Sequence, residues 1–195
     1  MDIEYPKGAT PLDQIELDGL KIKSITTVAE LNHLEQANIA DGLLWLGRKK
    51  KPEIFAPAFI TNLHARLFGQ VWSWAGTYRT TVKNIGVDPT HINMRLYGLL
   101  DDVKYWTEND IYKPAETALM FHHRLVYIHP FPNGNGRFSR IMADTMMRTI
   151  YNSPSIDWLQ GADLHTMGER RTQYIEALKA ADAEDYSLLF KFAGI

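Results

Sequence analysis

The stretch from His129 to Arg140 constrains this chain more than any other. Pro130, Pro132, Gly134 and Gly136 end any helix that precedes them, and the segment that follows has the pattern of a new helix. A helix amino terminus presents unpaired amides and a partial positive charge, so anions bind there. Glycines at 134 and 136 let the backbone approach such an anion closely. Arg137 and Arg140, one turn apart on the same helix, add forked and permanently charged donors that match phosphate oxygens. This combination suits a polyphosphate better than a lone carboxylate. Directly upstream, His129 has an unperturbed pKa of about 6.5 and can take a proton from a hydroxyl nucleophile near neutral pH. A base therefore stands beside an anion site.

The rest of the chain bounds the setting. With 195 residues, 45% of them hydrophobic, it is long enough for one well-buried core. The amino terminus lacks the basic-then-apolar layout of a secretory signal, no apolar run is long enough to cross a bilayer, and there are no cysteines. Cytoplasmic residence is the default expectation, with no membrane partner. A formal charge of -2 gives no general pull toward nucleic acid, and Lys49-Lys50-Lys51 is too short to argue for one.

In chain order, residues 1–27 form an arm broken by Pro6, Gly8, Pro11 and Gly19 and expected to pack irregularly over the core. Thr27 and Glu30 have capping-box spacing and open a helix over 28–46 that Gly47 ends. Leu31, Leu34, Ile39 and Leu43 form its apolar stripe, with Glu35 as the odd carboxylate beside it. A second helix is predicted over 56–68, stopped by Gly69. After an aromatic turn through Trp72, Trp74 and Tyr78, the β-branched run at Thr80 to Val82 and the turn signal Val87-Asp88-Pro89 predict a short two-stranded hairpin over about 79–90. Helices follow over 93–106, 114–127, 136–150, 164–181 and 185–192. The helix over 136–150 is apolar on several sides and so expected to be central. Helix after helix with short connections argues for an all-α domain carrying one hairpin, a single unit over 28–195.

The remaining histidines carry less. His122 and His123 are expected to pack rather than ligate metal, because no second ligand pair lies at zinc spacing. His64 and His91 default to structural roles, and Met146 and Met147 to core filling.

The string His129, Phe131, Gly134, Asn135, Gly136, Arg137, Arg140 resembles the signature of the Fic (Fido) family, His-x-Phe-x-Asp/Glu-Gly-Asn-Gly-Arg-x-x-Arg. Every fixed position matches except Asn133. The resemblance extends upstream to Leu63–Gly69 and Trp74–Arg79 and downstream to Tyr174–Leu178, covering roughly residues 28 to 192. The whole is similar to the subgroup called mobile mystery protein B, found on mobile elements beside a helix-turn-helix partner protein.

The resemblance implies a Fic-type helical bundle and a protein adenylyltransferase that moves AMP from ATP to a Ser, Thr or Tyr hydroxyl of a target protein, using Mg²⁺. By position, His129 is then the general base and Phe131 anchors the turn. Gly134, Asn135 and Gly136 hold the phosphates, Arg137 and Arg140 grip their outer oxygens, and the hairpin is the flap that clamps the target by strand pairing. Glycine at 136, where the phosphotransferase branch carries lysine, favours adenylylation over phosphorylation. Bacterial relatives include toxins acting on essential intracellular proteins. A degenerate nucleotide binder acting through protein contacts, or a transferase of another phosphate-containing group, stays compatible with the motif.

Two departures from the signature matter. Family members hold Mg²⁺ with a carboxylate where this chain has Asn133, which implies weaker magnesium use and slower turnover. Many relatives also carry an inhibitory helix whose glutamate pairs with the second motif arginine. The string Leu34-Glu35-Gln36-Ala37-Asn38 on the helix over 28–46 is the imperfect match here, so Glu35 is the expected inhibitory residue and Arg140 its expected partner.

Overall fold

The computed structural model describes residues 10–158 and 168–195. Among the described residues eight α-helices follow in order: α1 (Gln14–Asp18), α2 (Val28–Gly47), α3 (Pro57–Phe68), α4 (Ile92–Glu108), α5 (Pro114–Ile128), α6 (Asn135–Thr149), α7 (Glu169–Asp182) and α8 (Ser187–Ala193), with one 3-10 turn at Pro89–His91. The all-α expectation holds: the described residues contain no sheet, and their one β-bridge joins Leu20 to Trp72. The segment predicted over 164–181 begins outside the described residues, and α7 covers the rest of it.

Local signals account for most helix starts. Thr27 Oγ1 accepts from the Glu30 amide at 3.2 Å, and Glu30 Oε2 accepts from the Thr27 amide at 3.1 Å, closing a capping box at the head of α2. Pro57 and Pro114 occupy first-turn positions of α3 and α5, where a missing N–H costs nothing. α1 carries its own capping box between Asp13 and Glu16.

The helices pack in neighbouring pairs, α2 with α3, α4 with α5, α5 with α6, and α7 with α8. α6 lies at the centre: Phe138, Met142, Ala143 and Met146 are fully buried, as are the polar Ser139 and nearly so Thr145. Burying an aliphatic or aromatic side chain of this size contributes about 2 kcal/mol before its entropy cost is set against it. His123 joins α5 to the closing pair, its ring nitrogens 3.0 Å from Asp182 Oδ1 and 3.2 Å from the Tyr186 hydroxyl. The motif turn between α5 and α6 is thus fixed from both sides by buried helices.

The hairpin expected over 79–90 does not form. Its ends bond to the motif turn instead of to each other: the Arg79 amide donates to Pro130 O at 2.9 Å and the Val87 amide to Ile128 O at 3.3 Å. Arg79, buried, turns its guanidinium inward onto the carbonyls of Thr81, Val87, Ile128 and His129. Those contacts use the groups that a two-stranded ladder would need, and the loop closes around a cation. No described helix is long and apolar enough to cross a membrane.

Candidate functional site

The site begins with a strained residue. α5 ends at Ile128, and His129 adopts φ 53°, ψ 60°, left-handed backbone that an L-residue enters at a cost of about 1 kcal/mol or more. The cost is offset by what the turn gains: the His129 carbonyl accepts from Arg79 Nε at 2.6 Å. Two residues on, the fully buried Phe131 ring stacks on His64 with centroids 3.7 Å apart and meets Phe138 edge-on at 5.2 Å. Asn135 then staples the turn. Its Oδ1 accepts from the Phe131 amide at 3.0 Å and its Nδ2 donates to the Phe131 carbonyl at 2.7 Å. With both polar ends engaged, the Asn135 side chain shapes the turn, and what it offers a ligand is its backbone amide.

Gly134 supplies the second left-handed position, φ 78°, and a Cβ there would lie 2.7 Å from the Phe68 ring. The first α6 bond from this turn is the Phe138 amide to Gly134 O, at 2.9 Å. The amides of Asn135, Gly136 and Arg137 therefore point out of the helix end without carbonyl partners in the helix. A Cβ at Gly136 would find only Arg140 Nη1, at 3.9 Å, so open space borders this residue.

His64, given a structural role on sequence grounds, holds this loop. Its Nδ1 accepts from the Gly76 amide at 3.0 Å, which fixes the proton on Nε2, and Nε2 donates to the Asn133 carbonyl at 3.1 Å. Burial pushes its pKa down to about 3, so the ring is neutral.

His129 is buried as well, and its pKa falls to about 4, first through burial and then through the nearby positive charge of Arg79 and Lys83. Its Nδ1 faces the Val126 carbonyl at 3.4 Å. A carbonyl can only accept, so the proton sits on Nδ1 and Nε2 carries the lone pair. The hydroxyl of Thr10, from the amino-terminal arm, donates to that Nε2 at 3.0 Å. Gly86 (φ 107°) lets the flap cross directly above: a Cβ there would lie 2.6 Å from both His129 Cβ and Arg79 Nη2.

The two motif arginines part company. Arg137 Nη1 donates to Glu35 Oε2 at 2.6 Å, while Glu35 Oε1 accepts from the Trp72 indole at 2.6 Å. The expected partnership of Glu35 with Arg140 is therefore corrected to one with Arg137. Three residues along a helix turn a side chain by about 60° and advance it about 4.5 Å. That step leaves Arg137 facing α2 and the Phe68 ring, whereas the Arg140 guanidinium lies 5.6 Å from the Tyr174 ring of α7. Glu30, in the first turn of α2, is exposed and stays with its cap, accepting from the Thr26 and Thr27 amides.

Asn133 does not build a cation site. Its Oδ1 accepts from the Gly134 amide at 2.6 Å and its Nδ2 donates to the Thr10 carbonyl at 3.3 Å. Among the described residues no group of three His, Asp or Glu side chains is placed to hold a metal ion. The protein's own donors here do not fit Mg²⁺, which takes oxygen ligands and favours carboxylates.

The turn thus unites His129, the amide nest and Arg137, with Glu35 closing on the last. Thr10, Trp72 and the inward-turned Arg79 join it without having been foreseen. Arg79 and His64 lie in strings that the family resemblance covers, so a signal existed for them; nothing in the sequence marks Thr10, 119 positions from its partner.

Comparison with known proteins agrees with this geometry. A model described as Fic/DOC family matches residues 54–147. The chain is 30% identical over 139 residues to the protein adenylyltransferase Fic of Drosophila grimshawi, covering 68% of this chain and 26% of that protein. To the protein of the same name from Nematostella vectensis it is 27% identical over 168 residues, covering 83% of this chain and 37% of that one. It therefore spans only about a quarter to somewhat over a third of these curated relatives' length. Among solved structures, Fic-1 from C. elegans superposes with TM-score 0.67 at 24% identity, over 90% of this chain and 51% of that chain. BepC from Bartonella tribocorum, solved with bound AMPPNP, gives TM-score 0.68 at 18% identity, over 98% and 94%. At such identities the structural likeness establishes the fold alone. Since the family match also runs through the turn from His129 to Arg140 and the helices on either side, the chain belongs to the Fic/DOC family.

Proposed function

We propose that this protein is an adenylyltransferase that moves AMP from ATP to a hydroxyl side chain of a protein, held in check by Glu35. One observation carries the reading: a neutral histidine with its lone pair on Nε2 stands six residues before a helix amino terminus, in whose first turn Gly136 borders open space. His129 takes the proton of the attacking hydroxyl as its oxygen bonds to the α-phosphorus. The bond to the bridging oxygen breaks, and pyrophosphate leaves. The amides of Asn135, Gly136 and Arg137, with the Arg137 and Arg140 guanidiniums, hold the phosphate charge, and positioning and electrostatics supply most of such catalysis. The relatives named protein adenylyltransferase support the same chemistry.

In this reading residues 28–195 act as one Fic unit, with α2 as the inhibitory helix. Glu35 on Arg137 places a carboxylate where a phosphate oxygen would bind, and the nucleotide competes with it. The arm over 1–27 and a helix-turn-helix neighbour, as in the subgroup the sequence resembles, are the candidate regulators.

ATP labelled at the α- or the γ-phosphate tests the proposal. Label from the α-position on protein is expected; label from the γ-position alone would make the protein a kinase. A second reading, a nucleotide binder that acts through protein contacts, is favoured by Asn133 in place of a carboxylate. It predicts saturable ATP binding with neither label transferred, in the wild type and in Glu35→Gly alike.

A further inference from the structure

The arm places a hydroxyl where a target hydroxyl belongs. Thr10 Oγ1 lies 3.0 Å from His129 Nε2, and since Nδ1 holds the ring proton, the threonine O–H is the donor and the base the acceptor. Thr10 is buried, so this is not a surface encounter.

The segment around Thr10 is held from both sides. Asn133 Nδ2 donates to the Thr10 carbonyl at 3.3 Å, on the motif side. On the flap side, Lys83 Nζ donates to the Pro11 carbonyl at 3.3 Å, pairs with Asp13 at 3.6 Å, and forms a second, closer ion pair with Glu16. Thr81 Oγ1 donates to Glu16 Oε1 at 3.2 Å, and the Trp74 indole donates to the Glu16 carbonyl at 2.9 Å. The Lys83 side chain is only 5% exposed, so the charge pair is screened little by solvent. Residues 10–16 thus lie between flap and motif, held largely through side chains of the flap. Asn133, whose Nδ2 holds the Thr10 carbonyl, lies two residues before Asn135, the first residue of the amide nest.

We propose that Thr10 is an acceptor for AMP within the same chain, making the arm the enzyme's own substrate segment. The inference rests on the adenylyltransferase reading. In the step, Thr10 Oγ1 forms a bond to the α-phosphorus of ATP, its proton passes to His129 Nε2, and the α–β phosphoanhydride bond breaks with its electron pair leaving on pyrophosphate. The product is an AMP ester on Thr10, and no further reactant is needed. Because acceptor and base are already within hydrogen-bond distance, the step carries no cost of bringing them together. Modified Thr10 brings a phosphodiester charge and a nucleoside into a buried position, so the arm leaves the site and exposes His129 to other hydroxyls.

Site mapping by mass spectrometry tests this directly. Cleavage after lysine releases residues 8–21, in which Thr10 is the one hydroxyl residue. After incubation with ATP, wild type and Glu35→Gly are expected to carry one AMP on this peptide, more in the variant. The mark is expected to vanish in Thr10→Ala and His129→Ala and to persist in Thr10→Ser. To separate the two levels of the argument, the same proteins are incubated with a cell lysate and α-labelled ATP. Label on lysate proteins or on another peptide of the chain, with residues 8–21 unmodified, would overturn Thr10 as acceptor and leave the transferase reading intact. Absence of label on every protein, including in Glu35→Gly, would overturn both.

Discussion

Glu35 on α2 and Arg137 in the first turn of α6 form an ion pair at 2.6 Å, with side chains 8% and 17% exposed. The carboxylate's other oxygen is taken by the Trp72 indole, so Glu35 is aimed at Arg137 by a fixed donor and is not a wandering surface charge. Held this way, it occupies one of the two arginines to which the proposed phosphate site is assigned.

Removing the carboxylate should therefore raise activity while lowering stability. Glu35→Gly is expected to increase AMP transfer about tenfold or more, each tenfold corresponding to about 1.4 kcal/mol of competition relieved. The same change leaves Trp72 and Arg137 without their acceptor and is expected to cost about 2–4 kcal/mol of folding stability. Transfer assays and denaturant titration read the two effects separately. Activity at or below the wild-type level would rule out intramolecular inhibition through this residue.

Asn133 supplies a neutral oxygen, turned onto the Gly134 amide, at the position where the signature that this sequence resembles has Asp or Glu. Asn133→Asp is expected to make nucleotide binding and AMP transfer rise more steeply with magnesium concentration. Titration of binding and rate with Mg²⁺ in the two proteins provides the check; identical curves would refute a role for this position in metal use.

His64 braces the motif loop from beneath, joining the Gly76 amide to the Asn133 carbonyl while stacking on Phe131. His64→Ala should leave a cavity and an unpaired buried amide, lowering stability by about 3 kcal/mol. ATP affinity should fall with it, because the amide nest loses its support. Thermal melts and calorimetric titration with ATP measure both, and unchanged affinity would show that the loop holds its shape without His64.

Acid should weaken the fold through its buried neutral histidines. His129 has a folded pKa of about 4 against an ordinary 6.5, so its contribution to stability is complete above 6.5 and is lost as pH falls through about 4. Over that window the unfolded chain binds more protons than the native one, and stability declines. Between about pH 7 and about pH 4.5 the wild type should lose about 2–3 kcal/mol more than His129→Asn, which has no imidazole to protonate. Parallel denaturant titrations at the two pH values decide it; equal losses would mean that His129 is not held neutral by the fold.

Helix positions were legible because their determinants are local. The Thr27–Glu30 box, Pro57, Pro114 and the breaks at Gly47 and Gly69 lie within a few residues of the ends they fix, and the observed boundaries fall within two residues of those predicted for the helices from α2 to α6. The hairpin was misjudged because strand propensity in Thr80–Val82 competes with a single buried guanidinium, and only the folded chain reveals that Arg79 turns inward. Glu35 could be singled out as a carboxylate beside an apolar stripe, but its partner could not. Arg137 and Arg140 differ by one helical step, and which of them meets α2 depends on how α6 is rotated in the core.

The sequence by itself determined the composition of the turn from His129 to Arg140: a histidine, two glycines and two arginines in a spacing that local backbone geometry turns into the helix start on which the proposed anion site rests. Only the tertiary structure decided what occupies that site's surroundings. It sets Glu35 on Arg137 and brings the Thr10 hydroxyl onto His129 from 119 positions away. The reason is physical: capping, turn and helix-end effects act over a few residues, whereas contacts between distant segments depend on which surfaces the core brings together.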